Sequence, residues 1–201
     1  MSLATIYNTE GLIEAGVDEV GRGCLAGDVY AAAVILPPDY SNPLLNDSKQ
    51  LSAARRRKLR EDIERDALAW AIGTASVEEI DRINILRAAL LAMHRALDGL
   101  KVRPQFIAVD GNKFVPYHDT PYKTVVKGDG KYQNIAAASI LAKTYRDDYM
   151  ADQHQKFPHY GWDHNAGYGT KEHREALLSH GLTPLHRRSF NLLGDGQLSL
   201  F

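Results

Sequence analysis

A chain of 201 residues with 44% apolar content has the material for one full core, and 24 basic against 25 acidic residues exclude a protein that holds polyanions through a basic whole. A single cysteine, Cys24, excludes an internal disulfide, and the longest apolar run, residues 29–36, is far below the ~20 residues a spanning helix needs, so no membrane role is expected. No basic segment followed by an apolar run opens the chain, and the expected compartment is the reducing cytoplasm.

Residues 13–23, Ile-Glu-Ala-Gly-Val-Asp-Glu-Val-Gly-Arg-Gly, predict a strand that leaves the core and enters a tight turn. Asp18 and Glu19 are adjacent there, although like charges repel and neighbouring side chains on a strand point to opposite faces. Both can serve one site only at a strand end or where a cation bridges them. Gly21 and Gly23 around Arg22 offer bare amides and a guanidinium fork, which suit a phosphate or sugar approached by the main chain. A hairpin with a solvated acid pair is the competing reading.

Residues 27–36 predict a second strand, antiparallel to the first and ended by Pro37-Pro38. Ser52 is placed to cap a helix with Leu59, Ile63 and Ala67 on its inner face, and its outer face, with Arg55, Arg56, Arg57, Lys58 and Arg60, reads as solvated. A third strand is expected over 69–75. A capping box at Ser76-Val77-Glu78-Glu79 then opens helical sequence, Asn84 caps a second segment, and Leu86, Leu90, Met93 and Leu97 form its core face up to Pro104. Residues 105–111 read as a buried strand with Asp110 at its carboxyl end, and 122–130 repeat the plan with Asp129. The helical stretch between 69 and 106 matches a crossover, so the last two strands are expected parallel to a neighbour and the first three form a meander. A small-residue helix follows over 134–157, closed by Pro158. Beyond a loop rich in aromatic rings, histidine and glycine, Thr170 caps a helix through His180 that Gly181 stops.

Asp18, Glu19, Asp110 and Asp129 all fall at strand ends or strand-to-glycine junctions. A carboxylate cluster without cysteine or histidine at ligand spacing suits Mg²⁺ or Mn²⁺ over Zn²⁺, and two such ions ~4 Å apart suit hydrolysis of a phosphate ester. Two unrelated acid pairs on loops remain the alternative.

Seven motifs occur in order: Gly16-Val17-Asp18-Glu19-Val20-Gly21-Arg22-Gly23, Asp47-Ser48-Lys49-Gln50-Leu51-Ser52, Val109-Asp110-Gly111, Lys127-Gly128-Asp129, Ala137-Ala138-Ser139-Ile140-Leu141-Ala142-Lys143, Gly167-Tyr168-Gly169-Thr170 and His186-Arg187-Arg188-Ser189-Phe190. Together they resemble ribonuclease HII, the bacterial type 2 ribonuclease H. The resemblance implies a ribonuclease H-like α/β domain over 1–190, a mixed five-stranded sheet flanked by helices, with about 150–190 as a helical C-terminal part. It further implies endonucleolytic cleavage of RNA in RNA-DNA hybrids and at single ribonucleotides in duplex DNA, leaving 3'-hydroxyl and 5'-phosphate ends. By the same resemblance Asp18, Glu19, Asp110 and Asp129 bind the two divalent ions. Gly21, Arg22 and Gly23 sense the 2'-hydroxyl and phosphate, Tyr168 stacks on the following deoxyribose, and Lys49 holds backbone phosphate. Read without the resemblance, Tyr168 is a loop anchor and Lys49 a helix-entry charge. Cys24 departs from the proline often found at its position, and the histidines receive no role.

Residues 191–201 read as a flexible tail ending in Gln197-Leu198-Ser199-Leu200-Phe201. This peptide resembles those by which bacterial replication and repair proteins dock on the DNA polymerase sliding clamp, Gln197 hydrogen-bonding while Leu198, Leu200 and Phe201 supply the apolar anchors. Folding of Leu200 and Phe201 onto the chain's own core is the alternative. A monomer is expected.

Overall fold

In the computed structural model, residues 3–45 and 48–194 are described, Lys49 by its backbone alone. Strands β1 (Glu14–Val20), β2 (Val29–Ile35) and β3 (Ala69–Ala75) form an antiparallel meander, with Asp18 opposite Ala32 and Ala32 opposite Ile72. Strands β4 (Phe106–Asp110) and β5 (Tyr122–Val125) then add in parallel, giving the order β3-β2-β1-β4-β5. This is the mixed five-stranded sheet expected from the sequence.

Helix α1 (Ala53–Asp66) starts at Ser52, whose hydroxyl accepts the Arg55 amide, and buries Leu59 and Ile63. On its outer face Lys58 pairs with Glu61 and Asp62, and Arg60 with Glu64 and Asp148. Helices α2 (Val77–Ile83) and α3 (Ile85–Asp98) form the crossover. Ser76 and Glu79 cap each other reciprocally at the start of α2, and Asn84 caps α3. The crossover helix ends well before Pro104, at Gly99, whose amide donates to the Arg95 carbonyl. The last strand is also shorter than expected. It stops at Val125, after which Lys127 takes a left-handed conformation (φ 55°) and Gly128–Gly130 form a 3-10 turn, so Asp129 sits on a turn rather than at a strand end.

The two sheet faces are covered by different helices. Ala15, Val17, Ala31, Ala33 and Val109 pack with Ala88, Ala92, Met93 and Ala96 of α3. Ala32 and Val34 on the opposite face pack with Leu59 and Ile63 of α1 and with Ala137, Ala138 and Leu141 of helix α4 (Gln133–Lys156). The alanine-rich contact lets α4 lie on the backbone of β1. A Cβ on Gly16 would stand 2.3 Å from the Asn134 carbonyl carbon, so only glycine permits this approach. Short helix α5 (Trp162–Asn165) and helix α6 (Lys171–His180), capped by Thr170, pack through Trp162, Ala176 and Leu177, with Tyr160 of the preceding 3-10 turn, against Met150 of α4 and Leu25.

Candidate active site

The parallel pairing of β1 with β4 aligns Val17 with Val109, so Asp110, the last residue of β4, stands beside Asp18, which lies within β1 two residues before its end rather than at a strand end as expected. Strand alternation places Asp18 on the α4 face and Glu19 on the α3 face. Glu19 lines a small pocket with Asp110, Arg22 and Met93, and Asp110 also borders a groove of about 540 Å³ shared with Asp129, Lys127 and Gln50. By the same alternation Asp110 shares the α4 face with Asp18, and from the end of β4 its charge also reaches Glu19.

Main-chain donors fix this cluster. Asp18 Oδ1 accepts the Glu19 amide at 2.7 Å, and Asp110 Oδ1 accepts the Gly128 amide at 2.7 Å, tying the turn of Asp129 to the end of β4. Burial pushes the Asp18 carboxyl well above the usual carboxylate range. Glu19, Asp110 and Asp129 push in the same direction, while a hydrogen bond with Ser139 opposes them. Burial likewise raises Glu19, against the pull of Arg22, whose Nη1 lies 3.1 Å from Glu19 Oε1. Four acids whose fields reach one another, two of them resisting ionisation, make a site that a divalent cation would stabilise. The donor set is all carboxylate oxygen, which suits a hard cation. Among the described residues, no three acid, histidine or cysteine side chains are already closed around a common metal position.

The structure also brings the turn and Tyr168 together. Residues 24 and 168 form an isolated antiparallel bridge, the Leu25 amide donates to the Gly167 carbonyl at 2.8 Å, and a Cβ on Gly23 would lie 3.9 Å from the Tyr168 ring. The Tyr168 side of this contact is 41% exposed, so the ring remains available. Burial and the neighbouring Cys24 thiol raise the Tyr168 hydroxyl, which keeps it neutral. Ser48 and Gln50 stand on a 3-10 turn beside the site, whereas the Lys49 side chain lies outside the described residues.

Several residues without an assignment in the sequence reading support this arrangement. Ser139 of α4 touches Asp18 and lies 2.9 Å, Oγ to Oγ, from Ser48. His173 donates from Nδ1 to the Tyr168 carbonyl at 2.9 Å, which leaves its Nε2 to accept from Trp162 Nε1 and from His186, both at 3.1 Å. His186 Nδ1 accepts the Thr183 amide at 2.9 Å, consistent with that proton order. Burial lowers both imidazoles, His186 to about 4, so this pair is a neutral support behind the tyrosine. In the sequence His173 falls within the helix capped by Thr170 and His186 opens the last of the seven motifs, and neither position distinguishes a buried from an exposed ring.

Comparison with known proteins agrees with this architecture. The family model described as Ribonuclease HII matches residues 15–193. A Ribonuclease HII of Bacteroides fragilis is 69% identical over 192 residues, 96% of each chain. Among solved structures, ribonuclease H2 from Pyrococcus horikoshii superposes with a TM-score of 0.75 at 26% identity, covering 90% of this chain and 94% of that one. The structure of the PCNA:RNase HII complex from Archaeoglobus fulgidus gives 0.76 at 26% identity, covering 94% and 98%. With the family's sheet, its near full-length relatives and a carboxylate-lined rim in place, this chain belongs to the ribonuclease HII family and is an endoribonuclease, a hydrolase of the ribonuclease H class.

Proposed function

We propose that the protein cuts the RNA strand of RNA-DNA hybrids and also cuts at single ribonucleotides embedded in duplex DNA, leaving 3'-hydroxyl and 5'-phosphate ends. The observation that carries this reading is the convergence of Asp18, Asp110 and Asp129 with Glu19 at one rim, beside a Gly-Arg-Gly turn bridged to Tyr168. Asp18, Glu19, Asp110 and Asp129 would hold two Mg²⁺ or Mn²⁺ ions, whose contribution would be activation of water and stabilisation of the leaving oxygen. The amides of Gly21 and Gly23 meet the ribose 2'-hydroxyl and phosphate. Arg22 exchanges its contact with Glu19 for a phosphate oxygen, and Lys49 holds the backbone nearby. The half-exposed Tyr168 ring stacks on the deoxyribose that follows the ribonucleotide.

The same reading makes residues 1–190 one catalytic domain, with about 150–190 its helical part, acting as a cytoplasmic monomer in ribonucleotide removal during replication and repair. Among the described residues no helix is long and apolar enough to cross a membrane. The tail, Gln197, Leu198, Leu200 and Phe201 included, lies outside the described residues. We assign it to the sliding clamp, a mode consistent with a relative whose structure is that of a complex with PCNA.

Duplexes carrying no, one or several ribonucleotides, incubated with and without Mg²⁺ or Mn²⁺ and mapped at nucleotide resolution, test the proposal. Cleavage is expected only beside ribonucleotides, only with metal, and is abolished by Asp110→Asn. Comparable cutting of the all-DNA duplex, or full turnover by the Asp110 variant, would reject it.

A further inference from the structure

Arg146 and Arg187 are both 0% exposed, yet each spends its guanidinium on main-chain carbonyls rather than on a carboxylate. Arg146, on α4, donates from Nε to Asp28 at 2.9 Å, from Nη2 to Ala26 at 3.0 Å and from Nη1 to Ala166 at 2.7 Å. Two of those carbonyls belong to the segment that follows the Gly-Arg-Gly turn, and the third lies two residues before Tyr168. Arg187 holds the turn from the other side, with Nε and Nη2 on the Gly27 carbonyl at 2.9 and 2.7 Å and Nη1 on the Arg22 carbonyl at 3.1 Å.

Gly21 is shaped around this contact. Its φ is +95°, and a Cβ there would stand 2.2 Å from Arg146 Nε, so the guanidinium occupies the space a side chain would need. Burying two cations under one loop is a poor route to stability, because apolar residues of similar size usually do as well or better. A planar fork, however, can hold carbonyls on two different loops at a fixed separation, which neither a leucine nor a lysine can do.

We infer that Arg146, backed by Arg187, is a positioning residue that sets the distance between the Gly21–Gly23 turn and Tyr168, and thereby the preference for a lone ribonucleotide. The inference rests on the proposed reading of that turn and ring. At an isolated ribonucleotide both readers must engage at once, the turn on the 2'-hydroxyl and the ring on the next deoxyribose. On a long hybrid the next sugar is again ribose, so their separation matters less.

The test compares kcat/KM on a duplex with one ribonucleotide and on a duplex with a run of them, for wild type, Arg146→Lys, Arg187→Lys, Tyr168→Ala, Gly23→Ala and the Arg146→Lys/Tyr168→Ala pair. The ratio of the two constants does not depend on how much of a variant is folded, so destabilisation alone leaves it unchanged. Arg146→Lys is expected to lower the ratio about 10- to 100-fold, the scale of an ångström-sized misplacement, and Arg187→Lys to lower it in the same direction. The double variant should lose no more selectivity than Tyr168→Ala, because Arg146 acts through that loop. If Tyr168→Ala and Gly23→Ala themselves keep the wild-type ratio, the reading of the site fails and this inference with it. If they shift the ratio but Arg146→Lys does not, or the losses multiply in the double variant, the inference alone fails. Failure of both arginine variants to yield any folded protein also overturns it, since the two side chains are then supports of the core.

Discussion

Asp18 meets opposed demands within one side chain. Its strand position buries it against Ser139 of α4, while Glu19, Asp110 and Asp129 oppose its charge. A carboxyl whose pKa is raised on folding favours the native state at low pH, and that contribution is lost as pH rises from the ordinary carboxylate range through the raised value. In metal-free buffer Asp18→Asn should therefore melt at a temperature higher by about 3 °C or more at neutral pH, with the gap closing toward pH 4, while cleavage is lost. Scanning calorimetry across that pH range checks it, and a variant that melts at or below wild type at neutral pH would contradict the assignment of net repulsion. The adjacency of Asp18 and Glu19 was legible as a conflict in the sequence. The grouping with Asp110 was legible too, but not its geometry, in which β4 sets Asp110, some ninety residues later, on the same face as Asp18 with its charge also reaching Glu19.

Among the elements, α4 does most to join fold to site. Its run of small residues reads as a helix able to pack close to a sheet, and the Gly16 contact shows how close that approach is. The partner atoms are backbone, which cannot rotate away, so Gly16→Ala must lift α4 from β1. The expected cost is about 1–3 kcal/mol or more, with cleavage reduced beyond the loss of folded protein because Ser139 moves relative to Asp18. Denaturant titration with active-site-normalised turnover measures both, and unchanged stability would mean that α4 shifts freely. Capping was well marked: Ser52, Ser76, Asn84 and Thr170 each carry the bond their position predicts, since a cap is a contact between residues three apart. Some helix and strand ends fall short of their expected limits. Helix α3 stops at Gly99 rather than running on to Pro104, and β5 ends before the left-handed Lys127.

For the whole molecule, a net charge of −1 means that substrate recognition depends on placement rather than on bulk attraction. The proposed tail adds a second route to the right duplex by raising local concentration. Deleting Gln197 to Phe201 should abolish binding to the bacterial sliding clamp in solution and leave cleavage of a short duplex unchanged; a lower melting temperature with clamp binding spared would instead make the tail part of the core. The sequence by itself determined the five strands and the longer helices, though not the short α5 within the aromatic loop, the meander followed by a parallel addition, and the family motifs, because periodicity, caps and turn residues are encoded within a few positions of one another. Only the tertiary structure decided that Asp110 shares a face with Asp18 while its charge also reaches Glu19, that His173 and His186 stand neutral behind Tyr168, and that Arg146 and Arg187 are buried beneath the turn. Those outcomes depend on what distant segments bring into contact, and burial reverses what an aspartate, a histidine or an arginine does on a surface.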